Sequence, residues 1–179
     1  MWRWGLPVAL AERLEQGVQA RLDIWPVMLR MLGDMPFTGI GLNNVPVVQP
    51  LYDFKLAIQP HAHNVFLQTA LDQGLLGLAA FIVLFALAFR AGWRAYKNMG
   101  DPDERALVLG CAGGCAAFLG YGLWDSMSLG NLPAVAVWAL LGLLFASERV
   151  SAAQAPRRVR LGRGWRIGLA VGAGALVLF

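Results

Sequence analysis

Residues 60–89 read PHAHNVFLQTALDQGLLGLAAFIVLFALAF, and this stretch decides what kind of protein the chain is. Its second half, Leu75 to Phe89, is an unbroken apolar run. Taken from Gly74 to Trp93, with Arg90 snorkelling at its end, it reaches the roughly 20 residues that a helix needs to cross a bilayer. The first half holds both histidines of the chain, His61 and His63, beside Asn64. From Asn64 to Leu71 the pattern is that of a short helix, amphipathic at its start, which Asp72-Gln73-Gly74 interrupts. Two imidazoles and an amide therefore stand at the mouth of a membrane helix, facing water.

The rest of the composition agrees. Of 179 residues, 58% are hydrophobic and only 15% are charged, which excludes an ordinary soluble domain. The net charge of +4 does not point to nucleic acid, because the basic residues flank the apolar runs. After the exit Arg90, Arg94, Lys97 and a short polar loop, Asn98 to Arg105, a second uncharged run extends from Ala106 to Trp124. Gly110 and Gly114, four apart, predict close approach of another helix there. Cys111 and Cys115 share a helix face and read as small packing residues. A brief turn, Asp125 to Asn131, leads to a third run, Leu132 to Ala146. Arg149, Arg157, Arg158, Arg160, Arg163 and Arg166 make the next segment strongly basic. The last stretch, Ile167 to Phe179, begins a fourth run with Gly168 and Gly172 spaced for close packing. By the positive-inside rule the basic segments are cytoplasmic, and the histidines lie on the opposite side.

Upstream, the start MWRWGLPVALAE lacks the apolar core of a signal peptide. It reads as the tail of an earlier membrane helix or as an interfacial segment. Glu12 to Leu32 is helical, with Leu14, Val18, Leu22 and Trp25 as its apolar stripe and Pro26 as a kink or a new first turn. Gly33-Asp34-Met35-Pro36 stops it. Phe37 to Asn44, FTGIGLNN, is a tight glycine-rich loop that either simply turns or lets backbone N–H groups approach an anion. Val45 to Gln59 reads as a long connection without periodicity. The expected organisation is an extracytoplasmic region over 1–63 (with any helix tail at 1–10) and an interfacial helix plus first span over 64–97. The second and third spans fill 98–147, a cytoplasmic loop 148–166, and the start of a fourth span 167–179. The fold class is all-α: a polytopic transmembrane helical bundle with an extracytoplasmic helical loop region. The unfinished fourth span suggests a piece of a longer protein.

Chemically, neutral imidazole is a base at neutral pH and suits proton abstraction from a hydroxyl. Asn64 can orient a histidine or hold a substrate hydroxyl. Arg21 is on the same side, and a planar guanidinium is the natural partner of phosphate or diphosphate. On spacing alone the bland reading of the histidine pair is a structural or solvated surface pair or a weak metal site, and no metal is expected. Zinc requires further ligands, and Asp53 is the obvious nearby candidate.

These residues carry a family resemblance. His63-Asn64, nine residues, Gly74, two residues and Gly77 reproduce the signature of the O-antigen ligase and polymerase superfamily of bacterial membrane glycosyltransferases. Arg21-Leu22-Asp23-Ile24-Trp25 followed by Met35-Pro36-Phe37-Thr38-Gly39-Ile40-Gly41-Leu42-Asn43 resembles the upstream part of the same pattern. The resemblance runs from about Arg21 to Ser147 and looks like the C-terminal portion of a family member. It implies a GT-C-like membrane protein of the bacterial inner membrane, multi-pass, with its active site on the periplasmic side. The implied reaction is inverting, metal-independent transfer of a glycan from undecaprenyl diphosphate to a lipid (lipid A core), glycan or protein acceptor, with no cofactor. By match, His63 is the catalytic base and Arg21 binds the diphosphate, with His61, Asn64, Gly74 and Gly77 in support. The family also uses an arginine from an earlier loop, a place that only Arg3 or Arg13 can fill here. Other proteins that share HAHN, Ala70-Leu71-Asp72, Gly74, Gly77-Leu78 and Gly122-Leu123-Trp124-Asp125 resemble a protein proposed to act in bicarbonate transport, which is the alternative function.

Overall fold

A computed structural model describes residues 2–3, 6–126 and 132–154. The elements are β1 (Trp2–Arg3), β2 (Leu6–Pro7), α1 (Val8–Asp34), α2 (Val45–Tyr52), α3 (Val65–Asn98), α4 (Pro102–Gly122) and α5 (Leu132–Gln154). The chain is all-α, as expected, apart from a two-residue antiparallel ladder that pairs Trp2 with Pro7 and Arg3 with Leu6. Helix starts at Val8, directly after Leu6–Pro7. The turn residues 127–131, the arginines from Arg157 to Arg166 and the expected fourth span, Ile167 to Phe179, lie outside the described residues.

Among the described residues, three helical segments are long and apolar enough to cross a membrane: Val65–Asn98, Pro102–Gly122 and Ala134–Ala153. They pack on one another through Phe81, Phe85, Ala88, Val108, Cys111, Cys115, Phe118, Val137, Leu141 and Leu144. Lipid is as apolar as these side chains, so association rests on close fit and not on water exclusion. Small residues supply the fit. A methyl group on Gly92 would stand 2.8 Å from Leu144, and one on Gly114 would stand 2.7 Å from Leu140. Gly110 has nothing within 4 Å, so the close approach expected from the glycine pair is made at Gly114 alone among the described residues. Both cysteines are buried and free, as packing residues. Phe85 joins the helices as an aromatic hub, 4.9 Å from Phe81 and stacked at 6.0 Å on Phe118. The third helix runs past Ala146, and its Glu148 reaches Arg94 of α3 at 3.1 Å.

A second apolar cluster holds the segment before α3 together. Ile24, Val27, Met28 and Met31 of α1 close over Ile40, Val45, Ala62 and Leu71. This is not the stripe expected from the sequence. Leu14, Val18 and Leu22 are exposed, and apart from Ala11 the buried residues of α1 run from Ile24 to Met31. The periodicity is real, but a stripe is buried only where a partner lies across from it. α1 also continues through Pro26 without a break in the assigned helix.

The expected long connection contains a helix, α2. Its prolines conceal it from a periodicity reading. Pro46 falls in the first turn, where no N–H is needed, and Pro50 comes later in the same eight-residue element. Gln49 then fixes the segment from Ala57 to Gln59. Its side chain is 1% exposed, donates to the Ala57 carbonyl at 3.0 Å and accepts from the Gln59 N–H at 2.8 Å. The buried amide thus replaces secondary structure across the loop that leads to the histidines. Gln49→Leu removes both bonds while leaving two backbone groups in place. We expect a loss of about 2–4 kcal/mol, read as a lowered Tm, with faster proteolysis between Asp53 and Pro60.

Candidate functional site

The site begins with a break in α3. Gly74 has φ 71° and ψ −178°, a conformation confined essentially to glycine. The break lets the glycine-rich loop dock into the gap. Leu75 N–H donates to the Pro36 carbonyl at 2.7 Å, and Ile40 N–H donates to the Leu71 carbonyl at 2.6 Å. Asn43 N–H reaches Asp72 Oδ1 at 3.2 Å. The N–H groups considered for an anion are thus partly committed to holding α3. A Cβ on Gly74 would collide with the Phe37 carbonyl, and one on Gly39 would stand 2.6 Å from Gly74 N. Gly77, one turn on, is required because the break folds the Gln73 side chain across it.

The docked segment presents His61-Ala62-His63-Asn64. Asn64 caps α3, its Oδ1 accepting from the N–H groups of Phe66 and Leu67, at 3.0 and 2.9 Å. Its amide donates to the Leu123 carbonyl at 3.0 Å. Ala62 is fully buried between two side chains: Trp25 Nε1–H donates to its carbonyl at 2.9 Å, and Gln68 Oε1 accepts from its N–H at 2.8 Å. Between these anchors His63 is held at φ 49°, a left-handed conformation that costs a β-substituted residue energy.

Asp125, just beyond α4, meets both imidazoles. Its Oδ1 is 3.1 Å from His63 Nδ1 and 3.9 Å from His61 Nδ1. Burial pushes the Asp125 carboxyl up, but hydrogen bonds from Ser126 N–H, from Tyr121 Oη–H and from His63 outweigh it and hold it below the usual carboxylate range. The ionised carboxylate only accepts, so His63 Nδ1 carries a proton, and in the neutral ring Nε2 is the nitrogen with the lone pair. His61 has the other tautomer, because its Nδ1 accepts from His63 N–H at 3.3 Å. Burial, and then the neighbouring His63, pull the His61 pKa below 6.5 against the opposing pull of Asp125. Both groups link stability to pH in one direction. The unfolded chain binds more protons than the folded one, so stability falls as pH drops below 6.5 for His61 and below 3.8 for Asp125.

Arg21 reaches the residue before Asp125. Its Nε–H and Nη2–H both donate to the Trp124 carbonyl, at 3.0 and 2.8 Å, and Nη1–H donates to Gly17 O at 2.6 Å. The guanidinium carbon lies 5.1 Å from the centre of the Trp124 ring. Arg21 and His63, 42 positions apart, are thus tied to consecutive residues, Trp124 and Asp125. Asp53 is not with them; its carboxylate accepts from the N–H groups of Lys55 and Leu56. Sequence reasoning places Asp72 and Asp125 at the outer ends of the spans, as residues that help to shape the outer pocket, and gives Asp125 no part in the chemistry. The signal was available, since Asp125 is the only acidic residue between Arg105 and Glu148 and falls where the second span ends on the histidine side.

The fold and this corner define a helical protein with three membrane-length helices and a His–Asp–Arg cluster at one end of them. Residues 7–82 match the family model described as O-Antigen ligase (Wzy_C). It is also similar to the O-antigen ligase of Pseudomonas aeruginosa, with 29% identity over 139 residues, 74% of this chain. The chain spans 31% of the length of that relative. No solved structure matches it. With its spanning helices, this makes the chain part of a multi-pass membrane protein.

Proposed function

We propose that the chain carries the acceptor-activating and leaving-group-binding half of an O-antigen ligase-like glycosyltransferase. The donor is a glycan on undecaprenyl diphosphate, and the acceptor is a lipid, glycan or protein hydroxyl at the periplasmic face of the inner membrane. The supporting observation is the strained His63, oriented through Nδ1 by an ionised Asp125 beside Arg21. His63 Nε2 takes the proton of the acceptor hydroxyl as its oxygen attacks the anomeric carbon from the face opposite the diphosphate. The bond from that carbon to the diphosphate oxygen breaks, and Arg21 neutralises the departing charge, an effect that is large where water is excluded. The middles of the three apolar helices offer the transport alternative no Asp, Glu, Lys or Arg at mid-span.

Asp125 acts here through His63, as a positioning residue. Asp125→Asn can present either an acceptor or a donor to Nδ1 and no longer fixes the tautomer. The transfer rate is expected to fall by about 10²–10⁴-fold, as when other imidazole bases lose their carboxylate. Proteoliposomes supplied with the lipid-linked donor and an acceptor measure it. A drop in kcat with KM for the donor unchanged supports positioning, and wild-type kcat rejects it.

A further inference from the structure

We infer that His61, His63 and Asp125 form a binding site for Zn²⁺ or a similar divalent transition metal, and that occupancy inhibits the protein. One ligand atom from each of the three side chains lies within 4.8 Å of the other two. Tetrahedral zinc, with bonds of about 2.0–2.1 Å, places its donors about 3.3 Å apart. His63 Nδ1 and Asp125 Oδ1 already stand at 3.1 Å, and His61 Nδ1 is 3.9 Å from the same oxygen. A small movement of the His61 ring closes the set. Two imidazoles and a carboxylate are a donor set that suits zinc and leaves a fourth position to water.

The orientation of the carboxylate also fits. Tyr121 Oη–H donates to Asp125 Oδ2 at 3.0 Å, which turns Oδ1 toward the two rings. The imidazoles and the carboxylate are each about a third exposed, so an ion has access. Only Asp53 suggested itself as a third ligand in the sequence; the third ligand here comes from 62 positions beyond His63.

The site sits on the proposed base, and its chemistry opposes that base. In the metal-free site, Nδ1–H of His63 faces Asp125 and Nε2 holds the lone pair. A metal on Nδ1 takes that nitrogen's lone pair, and the displaced proton passes through solvent to Nε2. The ring stays neutral, but Nε2 is now a donor and cannot accept the acceptor's proton. Binding stands on the ligand geometry alone. Inhibition rests in addition on the reading of His63 as the base.

Calorimetric titration of the purified protein in nanodiscs with ZnCl₂ at neutral pH tests binding. Wild type is expected to take up one Zn²⁺ per chain at this corner, with affinity lowered about tenfold or more in His61→Ala and in Asp125→Asn. Co²⁺ added to wild type should show the visible bands of a tetrahedral site, a readout that needs no variant. Absence of saturable Zn²⁺ uptake, absence of those bands, or wild-type affinity in both variants overturns the site. In a transfer assay, activity should fall as Zn²⁺ occupancy rises and return with a chelator. Zinc bound at this site with full transfer keeps the site and rejects both the inhibition and the role of His63 as base. If the protein shows no transfer under any condition, zinc uptake still decides the binding claim.

Discussion

Replacing His63 with glycine is expected to leave a protein that is folded, inserted, at least as stable as wild type and inactive in glycan transfer. The two halves of that result have separate causes. His63 is held at φ 49°, where any residue with a Cβ is strained and glycine is not. Relief of that strain is worth about 1–2 kcal/mol, set against loss of the Nδ1 bond to a partly exposed Asp125. The same change removes Nε2, and loss of a general base costs about 10²–10⁴-fold in rate. His63→Asn, which tolerates the left-handed region, should behave alike. A residue kept strained by its surroundings and unneeded for stability is the mark of a functional position. The measurement pairs thermal unfolding in detergent with transfer in proteoliposomes. Full transfer by His63→Gly would remove His63 from the chemistry. A large loss of stability would show instead that the ring is structural. Arg21→Ala is the companion. It also should abolish transfer, but it frees the Trp124 carbonyl from two hydrogen bonds and so should lower Tm as well.

Much of this was legible in the chain, for physical reasons that also mark where legibility ended. Uninterrupted apolar runs reveal membrane-length helices, because in a bilayer the backbone has no choice but to satisfy itself locally. The break at Asp72-Gln73-Gly74 was legible because glycine in an apolar helix is conspicuous. The loop that fills the break was not, since Phe37 to Gly41 joins it through backbone groups that carry no side-chain signature. The face of α1 was misread for a related reason. Leu14, Val18 and Leu22 have the spacing of a core stripe, and spacing cannot say whether a partner lies opposite. In the site, His61, His63 and Asn64 were found as neighbours in sequence. Arg21 was found as a charge on the right side. The contact that binds them, Trp124-Asp125, comes from another helix end and was visible only as an acidic residue in a place poor in acids. Local chemistry was readable; the long-range junction was not.

The second large effect falls on that junction. Gly74→Ala is expected to destabilise the protein by about 3 kcal/mol or more, a sizeable part of the roughly 5–15 kcal/mol that a typical domain has. Strain alone accounts for about 1–3 kcal/mol, since φ 71° with ψ −178° is open essentially to glycine only. The remainder is steric. The added methyl group would collide with the Phe37 carbonyl and stand 2.8 Å from Thr38 N, both backbone atoms that no rotamer change can move. To escape, α3 must straighten or the loop must leave, and either course breaks the Leu75–Pro36 and Ile40–Leu71 bonds. Straightening also swings the Asn64 cap, and with it His63, away from Asp125, so transfer should fall together with Tm. Gly33→Ala is the control: it lies in α1 with nothing within 4 Å and should be neutral or stabilising by up to about 1 kcal/mol. Gly77→Ala should lie between the two: its helical backbone adds no strain, but its methyl group would meet Gln73 Cβ, which no rotamer change can move. Thermal unfolding of the three variants in one detergent decides the matter. Equal melting of Gly74→Ala and Gly33→Ala would mean that the break is not what docks the loop. The ordering Gly74 below Gly77 below Gly33 would tie the glycine spacing of this segment to the placement of its histidines.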